Sequence, residues 1–232
     1  MNDYVAAKAR ITKFQTPEDT LIYLATNQYT LQIAGSTQAQ KRAFPSAEGA
    51  HITDNQFYYG SAALCATSVL HLKGMHNLQN AVAAIEAAWL YTQEAAAIEK
   101  GLSAFRGLPH RLEYVATVNE VEYYDDSIAT TPTSAIAALR AFPDKKKVII
   151  LGGSYKGSDY SELAEELTRH EVHALLIGDE APTIMKACER GGFEAYEIIE
   201  NATAESFTKR AAELAERGSV VLLSPAAASF GL

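Results

Sequence analysis

The sequence lacks the features that mark several large classes of protein. It has only two cysteines, Cys65 and Cys188, without C-x-x-C spacing, and no histidine–cysteine cluster has the spacing of metal ligands. No apolar run reaches the ~18 residues that span a bilayer. The opening residues, MNDYVAAKARITKF, lack the apolar core of a signal peptide. We therefore expect a reduced, cytoplasmic protein with no membrane contact.

Basic charge is also scarce. The 232 residues carry 20 lysines and arginines against 28 acidic residues, which gives a formal net charge of −8. This balance argues against a nucleic-acid partner, which needs a basic face, although local lysines and arginines can still form a nucleotide site. The hydrophobic share of 48% and the charged share of 21% are typical of a soluble globular protein of one or two domains.

Three well-known loop motifs are missing. The phosphate-binding loop G-x-x-x-x-G-K-[ST] does not occur, because Gly152 and Gly157 have its separation but Ser158 follows in place of lysine. The G-x-G-x-x-G fingerprint and the G-x-S-x-G nucleophile elbow are absent as well. The missing fingerprint weakens the hypothesis of a dinucleotide-dependent oxidoreductase.

The first 106 residues predict a mixture of elements. Ambiguous turns extend to about Gly74, and helical periodicity begins at Asn77, where apolar residues at spacings of four, three and four share one face. The elements predicted are a helix over 3–14, a strand over 21–25, a hairpin of Ala50–Thr53 and Gln56–Tyr59 turning at Asp54-Asn55, a helix from 77, and a helix over 92–100 that starts at Thr92 and stops at Gly101.

Residues 107–232 alternate strands with helices, a pattern that predicts parallel pairing through right-handed crossovers. The fold class expected is therefore α/β, with a small Rossmann-like domain and a mostly parallel sheet. The elements predicted are a hairpin over 113–118 and 121–124, a helix capped by Thr131 with Pro132 first, a strand over 148–151, a helix opened by Asp159, a strand over 174–177, a helix over 182–190, a strand over 196–199, a helix capped by Thr203, and the strand Val220–Leu223.

Five polar clusters lie between the apolar segments. They are GMHNLQN (74–80), GLPHR (107–111), DDSIATT (125–131), LGGSYKG (151–157) and LLSPAAASFG (222–231). The last three follow directly on β-like runs, and in open α/β sheets ligands bind beyond the carboxyl ends of the strands. We therefore expect the ligand site of the second part at this edge.

Each cluster has a functional and an ordinary interpretation. Arg111 can bind a phosphate or carboxylate bidentately, or can be a solvated linker residue. The acids and hydroxyls of 125–131 can meet a ribose, a metal-bound water or a substrate amine, or can belong to a helix cap and an exposed loop. Lys156 can assist anion binding by a glycine loop, or can be a turn residue. Ser224 and Ser229 can hold a carboxylate, or can permit close packing.

The candidate residues of the first part also have more than one interpretation. Asn77 and Asn80 are three residues apart, so they share a helical face and can contact a purine edge; alternatively, Asn77 is a helix cap. His76 is expected to be a structural histidine. Lys8 lies on the first predicted helix, and the composition of that helix indicates only a solvated lysine at this position.

Taken together, the clusters resemble the Mur ligase family, and within it the branch that adds D-glutamate. The resemblance covers essentially the whole chain, and GLPHRLE and LLSPAAASF are its most specific parts. It implies that residues 1–106 are a partial central ATP-binding domain and that residues 107–232 are the C-terminal Rossmann-like glutamate-ligase domain. It also implies that the UDP-binding domain and the phosphate loop would lie before Met1, that the family continues beyond Leu232, and that the chain alone is inactive.

The resemblance assigns roles around the nucleotide. Lys8 matches the lysine that is carbamylated in the family and then helps to hold Mg²⁺. Asn77 and Asn80 match residues near the adenine of ATP. Arg111 and Asp126 match residues that face the nucleotide and take part in catalysis.

The resemblance also assigns the amino-acid site. Thr130, Lys156 and Ser229 match contacts to the incoming D-glutamate, and Phe230 would present its backbone amide beside them. One departure concerns Ile128, which stands where the family often has lysine, so that one cationic contact is missing.

The implied function is ATP-dependent ligation of D-glutamate to UDP-N-acetylmuramoyl-L-alanine, a step of peptidoglycan synthesis and hence of cell-wall growth and division. The implied cofactors are ATP and Mg²⁺, and the implied state is a monomer. In the mechanism that the resemblance implies, the substrate carboxylate attacks the γ-phosphate to give an acyl phosphate, and the D-glutamate amine then attacks this intermediate as phosphate leaves. The alternatives are another Mur or folylpolyglutamate-type ligase, a stand-alone module that binds a nucleotide or an acidic amino acid, and the weakened oxidoreductase hypothesis.

Overall fold

The computed structural model of the protein describes residues 2–155 and 157–228. The chain forms two compact units, Met1–Arg106 and Gly107–Leu232, which divide where the two sequence patterns meet. Among the described residues, no helix is both long enough and apolar enough to cross a membrane.

The first unit contains two small sheets and four α-helices within its described residues. One sheet is a parallel pair of strands (β1 and β2), and the other is an antiparallel three-stranded sheet (β3, β4 and β5). The elements are α1 Asn2–Ala9, β1 Thr20–Leu24, α2 Gln28–Gly35, β2 Gln40–Phe44, β3 Ala50–Thr53, β4 Gln56–Tyr59, β5 Ala62–Ala66, α3 Met75–Ala88 and α4 Ala95–Ala104, with 3-10 turns at Arg10–Thr12 and Thr67–Val69.

The predicted hairpin is confirmed with its bounds. Asp54 and Asn55 both have positive φ, at 50° and 58°, which is the geometry of a tight hairpin turn. The expectation of irregular turns up to Gly74 is wrong, because α2, β2 and β5 lie in that range. Asn27 caps α2 by accepting hydrogen bonds from the amides of Tyr29 and Thr30.

The two later helices of this unit differ from the prediction at their ends. Helix α3 begins after Gly74, so Asn77 lies within its first turn and is not its cap. Helix α4 starts at Ala95 and continues through Gly101 to Ala104. The helix continues past the glycine because Ile98 and Leu102 pack into the core formed with Phe57 and Ile85.

The second unit is built on a six-stranded sheet, within the described residues, in the order β10-β9-β8-β11-β7-β6. All neighbouring strands are parallel except the antiparallel hairpin β6–β7, so the expected mostly parallel sheet is confirmed. The elements are β6 Glu113–Val118, β7 Val121–Asp125, α5 Pro132–Arg140, β8 Lys147–Gly152, α6 Ser161–Leu167, β9 Val172–Ile177, α7 Ala181–Gly191, β10 Tyr196–Ile198, α8 Ala204–Leu214 and β11 Val220–Leu223.

Both faces of this sheet are covered by helices. Ile149 and Leu151 of β8 belong to the core that includes α5, α6 and α7, whereas Val148 and Ile150 pack on the other face with Phe207 of α8. The strand is buried along its whole length, which explains the uninterrupted apolar run at 148–151. The predicted caps Thr131 and Thr203 are also confirmed, and each accepts the amide three residues further on.

Candidate functional site

The strand order of the second unit changes direction between β8 and β11. From β8 the chain proceeds outward to β9 and β10, and it then returns to place β11 on the other side of β8. In open α/β sheets, ligands bind beyond the carboxyl ends of the strands at such a switch point. The described parts of the loops that follow β7, β8 and β11 meet there, and we call them together the rim (residues 126–131, 153–155, 157 and 224–228).

Backbone hydrogen bonds fasten the rim loops to one another. The Ala226 amide donates to Ala129 at 2.8 Å, and the Ser154 amide donates to Ala228 at 2.8 Å. Ser154 and Ala228 also form an isolated antiparallel bridge. The first contact joins the segment that carries Thr130 to the loop after β11. The contacts of Ser154 join the glycine loop, which follows β8, to that same loop.

A turn at residues 110–112 lies beside the end of β7. His110 and Leu112 have φ of 64° and 46°, a left-handed conformation that is uncommon outside glycine. The turn is held because the His110 amide donates to Glu113 Oε2 at 2.8 Å and the Leu112 amide donates to Asp126 Oδ1 at 3.0 Å. Arg111 lies between these two residues and is exposed, with no ion pair to any described residue.

His110 also pairs with Asp125 through its ring. The Nδ1–Oδ2 distance is 2.8 Å, and this hydrogen bond raises the pKa of His110. Burial alone would raise the pKa of Asp125, but hydrogen bonds from His110 and Ser127 lower it below its usual value. Among the described residues, His110, Glu113 and Asp125 are the one group of potential metal ligands that lie within 4.8 Å of one another. Their direct hydrogen bonds account for this proximity.

Asp126 is buried and both of its carboxylate oxygens have partners. Oδ1 accepts the Leu112 amide, and Oδ2 accepts the Ser224 hydroxyl at 2.6 Å. Burial raises the pKa of Asp126, although Ser224, Leu112 and the charge of Arg111 act in the opposite direction. The sequence suggested that Ser224 could hold a carboxylate, and within the described residues the carboxylate that it holds belongs to Asp126.

Of the residues predicted to contact D-glutamate, the structure describes Thr130. Thr130 is half-buried at the rim, and Ile128 is exposed two residues before it. Lys156, Ser229 and Phe230 lie outside the described residues, so their predicted contacts stay predictions.

Glu180 lies outside the rim but contacts it, and no sequence motif singled it out. It follows β9, has no solvent exposure, and accepts the Gly157 amide through Oε1 at 3.2 Å. Its own amide donates to Gly153 at 3.1 Å. The only sequence signal was an acidic residue after an apolar strand, which is equally typical of a helix start. Glu180 fastens both ends of the glycine loop to α7.

The first unit contains a separate cavity of about 470 Å³ between α3 and α4. Its wall is mainly apolar, with Ile85, Ile98 and Leu102 among the lining residues, and Asn77 and Asn80 supply amide groups. The Asn77 side chain donates to the Lys73 carbonyl at 2.8 Å and accepts from Asn80 at 3.4 Å. This arrangement fixes the orientation of Asn77, while Asn80 is exposed.

Lys8 lies on α1 of the first unit and is exposed. Its ammonium group stands 5.4 Å from the centre of the Tyr4 ring. Among the described residues, no carboxylate lies within ion-pair distance of Lys8.

Comparison with known proteins gives a consistent result. Residues 110–227 match the family described as "Mur ligase, glutamate ligase domain". The chain is 34% identical over 99% of its length to the UDP-N-acetylmuramoylalanine--D-glutamate ligase of Streptococcus suis (strain 98HAH33), and 36% identical over 98% to that of Geobacillus sp. (strain WCH70). In both cases 51% of the relative is covered, so the chain spans about half the length of the curated relatives it matches.

Solved structures share the fold at lower identity. The UDP-N-acetylmuramoylalanyl-D-glutamyl-2,6-diaminopimelate--D-alanyl-D-alanyl ligase of Acinetobacter baumannii matches 97% of this chain and 52% of its own, with a TM-score of 0.76 and 20% identity. The folylpolyglutamate synthase of Thermotoga maritima matches 97% of this chain and 55% of its own, with a TM-score of 0.64 and 17% identity. These likenesses concern the fold alone.

Proposed function

This chain belongs to the Mur ligase family, and on that basis we propose that it supplies the D-glutamate site and part of the nucleotide site of an ATP-dependent ligase. The proposed reaction joins D-glutamate to UDP-N-acetylmuramoyl-L-alanine in peptidoglycan precursor synthesis. The observation that carries the proposal is the shared name of relatives that are 34–36% identical over 98–99% of the chain. We propose a cytoplasmic monomer as the working state.

The rim supports an amino-acid site in the second unit. A dicarboxylic amino acid needs several donors and at least one cation to replace its hydration. Thr130 offers a half-buried hydroxyl at the rim, in a segment that is hydrogen-bonded to the loop after β11. Lys156, Ser229 and the Phe230 amide are proposed to complete the donor set, because they match the family's contacts by sequence.

The cavity of the first unit supports an adenine site. An adenine ring has two apolar faces and a polar edge, and the cavity of about 470 Å³ combines apolar walls with the amides of Asn77 and Asn80. Since Asn77 is oriented by Lys73, Asn80 is the residue proposed to contact the purine edge. ATP supplies the phosphoryl group that activates the acceptor carboxylate. Arg111 is proposed to bind its phosphates, and Asp126 is proposed to orient the turn that carries Arg111.

The described residues around Lys8 do not fit a Mg²⁺ site by themselves. An ammonium group is not a ligand for Mg²⁺, and Lys8 has no carboxylate beside it among the described residues. Carbamylation of Lys8 would create one oxygen ligand on α1. No step of the proposed reaction is therefore derived through the metal.

The experiment uses the full-length protein that contains this chain. Phosphate release is measured with ATP, UDP-N-acetylmuramoyl-L-alanine and one amino acid at a time, namely D-glutamate, L-glutamate or L-lysine. We expect release with D-glutamate and little release with the others. Equal rates with L-glutamate, or release only when a folate acceptor replaces UDP-N-acetylmuramoyl-L-alanine, would exclude the proposed substrate. The 232-residue chain alone is expected to release no phosphate, because it contains no phosphate-binding loop motif.

A further inference from the structure

Ser224 and Asp126 form a buried contact at the rim. Ser224 has no solvent exposure and Asp126 is 6% exposed. The Ser224 hydroxyl donates to Asp126 Oδ2 at 2.6 Å, a short distance that is typical of a hydrogen bond to a carboxylate. The two residues are 98 positions apart in the chain and follow the neighbouring strands β11 and β7.

The other oxygen of Asp126 holds a different segment. Oδ1 accepts the Leu112 amide at 3.0 Å, and Leu112 has φ of 46°. A leucine in this conformation is strained, and it persists only where its surroundings fix it. The Asp126 carboxylate therefore links the end of β11 to the turn that carries Arg111.

Ser224 is well placed to orient this carboxylate and poorly placed to touch a ligand. It is completely buried, and its hydroxyl is engaged with Asp126. Without the hydroxyl, Oδ2 would lose a charge-assisted partner in a site that is already desolvated, and the carboxylate could rotate away from Leu112. The backbone bond from the Asp126 amide to Leu223 at 2.8 Å does not depend on Ser224, so the strand ends stay joined.

We propose that Ser224 is a positioning residue that acts through Asp126 to hold the 110–112 turn, and with it the orientation of Arg111. The functional consequence of this inference rests on the proposed function, since Arg111 is there assigned to the phosphates of ATP. Arg111 is exposed and is proposed to work at the surface of the turn. The direction in which the Arg111 side chain leaves the turn is therefore set by the backbone of residues 110–112.

The first experiment needs no ligand and is done on this chain. Amide exchange of Leu112 and the Nε–H resonance of Arg111 are followed by NMR in Ser224→Ala and Ser224→Thr. We expect Leu112 exchange to accelerate by roughly tenfold or more in Ser224→Ala, with a shifted Arg111 resonance, because a charge-assisted hydrogen bond is lost. Ser224→Thr keeps a hydroxyl and should restore both signals.

Ser219→Ala is the matched control. Ser219 lies just before β11, at the opposite end of the same strand, and is 2% exposed. Removal of the Ser219 hydroxyl should leave the signals of Leu112 and Arg111 unchanged. Wild-type signals in Ser224→Ala would overturn the proposal, and so would equal changes in Ser219→Ala.

The second experiment uses the full-length protein. Ser224→Ala should raise the KM for ATP by roughly tenfold with a smaller change in kcat. Ser224→Thr should bring the KM for ATP most of the way back to the wild-type value. An unchanged KM for ATP alongside an altered Leu112 signal would overturn the link to Arg111. A full-length protein without ligase activity would instead contradict the proposed function, and the NMR comparison would then decide the positioning role by itself.

Discussion

The Glu180 carboxylate accepts the Gly157 amide at 3.2 Å, beneath the glycine loop that follows β8. The carboxylate has no solvent exposure, and the Glu180 amide donates to Gly153 at 3.1 Å. One residue at the start of α7 thus binds the loop at two points. Gly153 and Gly157 are therefore fastened to the start of α7 before any ligand binds, and fixing two points of a loop in advance lowers the entropic cost of binding.

Gly152→Ala should destabilise the second unit strongly. A Cβ atom at this position would lie 1.9 Å from the Ile177 carbonyl oxygen, and φ is +118°. We expect a loss of about 2–6 kcal/mol in the free energy of unfolding, because backbone strain and overpacking each cost about 1–3 kcal/mol. Native-state hydrogen exchange of the β8 amides measures the loss.

Gly192→Ala is the control for this substitution. Gly192 also has positive φ, at 75°, but a Cβ atom there would meet no atom within 4 Å beyond its chain neighbours. Its cost should be limited to about 1–2 kcal/mol of backbone strain. Equal losses for the two variants would contradict the role of the close approach to Ile177.

Lys156→Ala should weaken D-glutamate use by the full-length protein. A charge-assisted contact contributes about 1.5–3 kcal/mol, so the KM for D-glutamate should rise roughly tenfold or more with little change in the KM for ATP. Steady-state kinetics with each substrate varied in turn provide the measurement. Lys209→Ala, on the exposed side of α8, is the control and should leave both constants unchanged. An unchanged KM in Lys156→Ala would leave the lysine as a turn residue only.

Arg140→Ala should reduce stability at neutral pH and have little effect near pH 2. Arg140 donates to both oxygens of buried Glu166, at 2.8 and 2.6 Å. This contact is the largest of those that lower the pKa of Glu166 to about 2, and hydrogen bonds from His170 and Arg169 act in the same direction. A carboxylate with a depressed pKa stabilises the fold fully above its ordinary value of 4.5, and the contribution is lost as the pH falls towards about 2. We expect a loss of about 1.5–3 kcal/mol at pH 7.

Urea unfolding monitored by hydrogen exchange at several pH values tests this prediction. Arg217→Ala is the comparison, because its ion pair with Glu120 is exposed on both sides and should contribute less than about 1 kcal/mol. A stability difference for Arg140→Ala that does not shrink in acid would show that packing, not the charge of Glu166, is responsible.

His110 should titrate above the ordinary value for histidine. Its pKa is raised by the hydrogen bond and charge of Asp125, so the imidazolium form is favoured in the fold. The stabilisation from the pair is fully present below the ordinary pKa of about 6.5 and is lost as the pH rises through the raised value. NMR titration of the ring protons measures the shift.

Asp125→Asn should return the pKa of His110 towards its ordinary value, because the partner charge is removed. Glu113→Gln should have a smaller effect, since Glu113 makes the lesser contribution to the raised pKa. A larger change in Glu113→Gln than in Asp125→Asn would contradict the pairing seen at 2.8 Å.

Several elements could be predicted because their signals are local. The turns at Asp54-Asn55 and Asn119-Glu120 have positive φ at both positions, and aspartate and asparagine, which supply three of these four residues, adopt it more readily than most. Thr131 and Thr203 act through hydrogen bonds to amides three residues away. Such contacts depend only on neighbouring residues, so the sequence is sufficient to predict them.

Other elements could not be predicted because distant contacts decide them. Strand β2, with the sequence QKRAF, has little apolar pattern and forms by pairing with β1. Gly101 remains helical because its neighbours Ile98 and Leu102 are packed in the core of the first unit. Tertiary burial outweighs local propensity in both cases.

The alternation of strands and helices, the parallel sheet and the positions of the polar clusters all follow from the amino-acid order, because hydrophobic periodicity and caps depend on consecutive residues. The partners of the buried carboxylates do not follow from it. Asp126 meets Ser224 and Leu112, and Glu180 lies under the glycine loop, because the folded sheet brings distant segments together. A loop carboxylate can face solvent, a ligand or another loop, and residues tens of positions away determine which of these it meets.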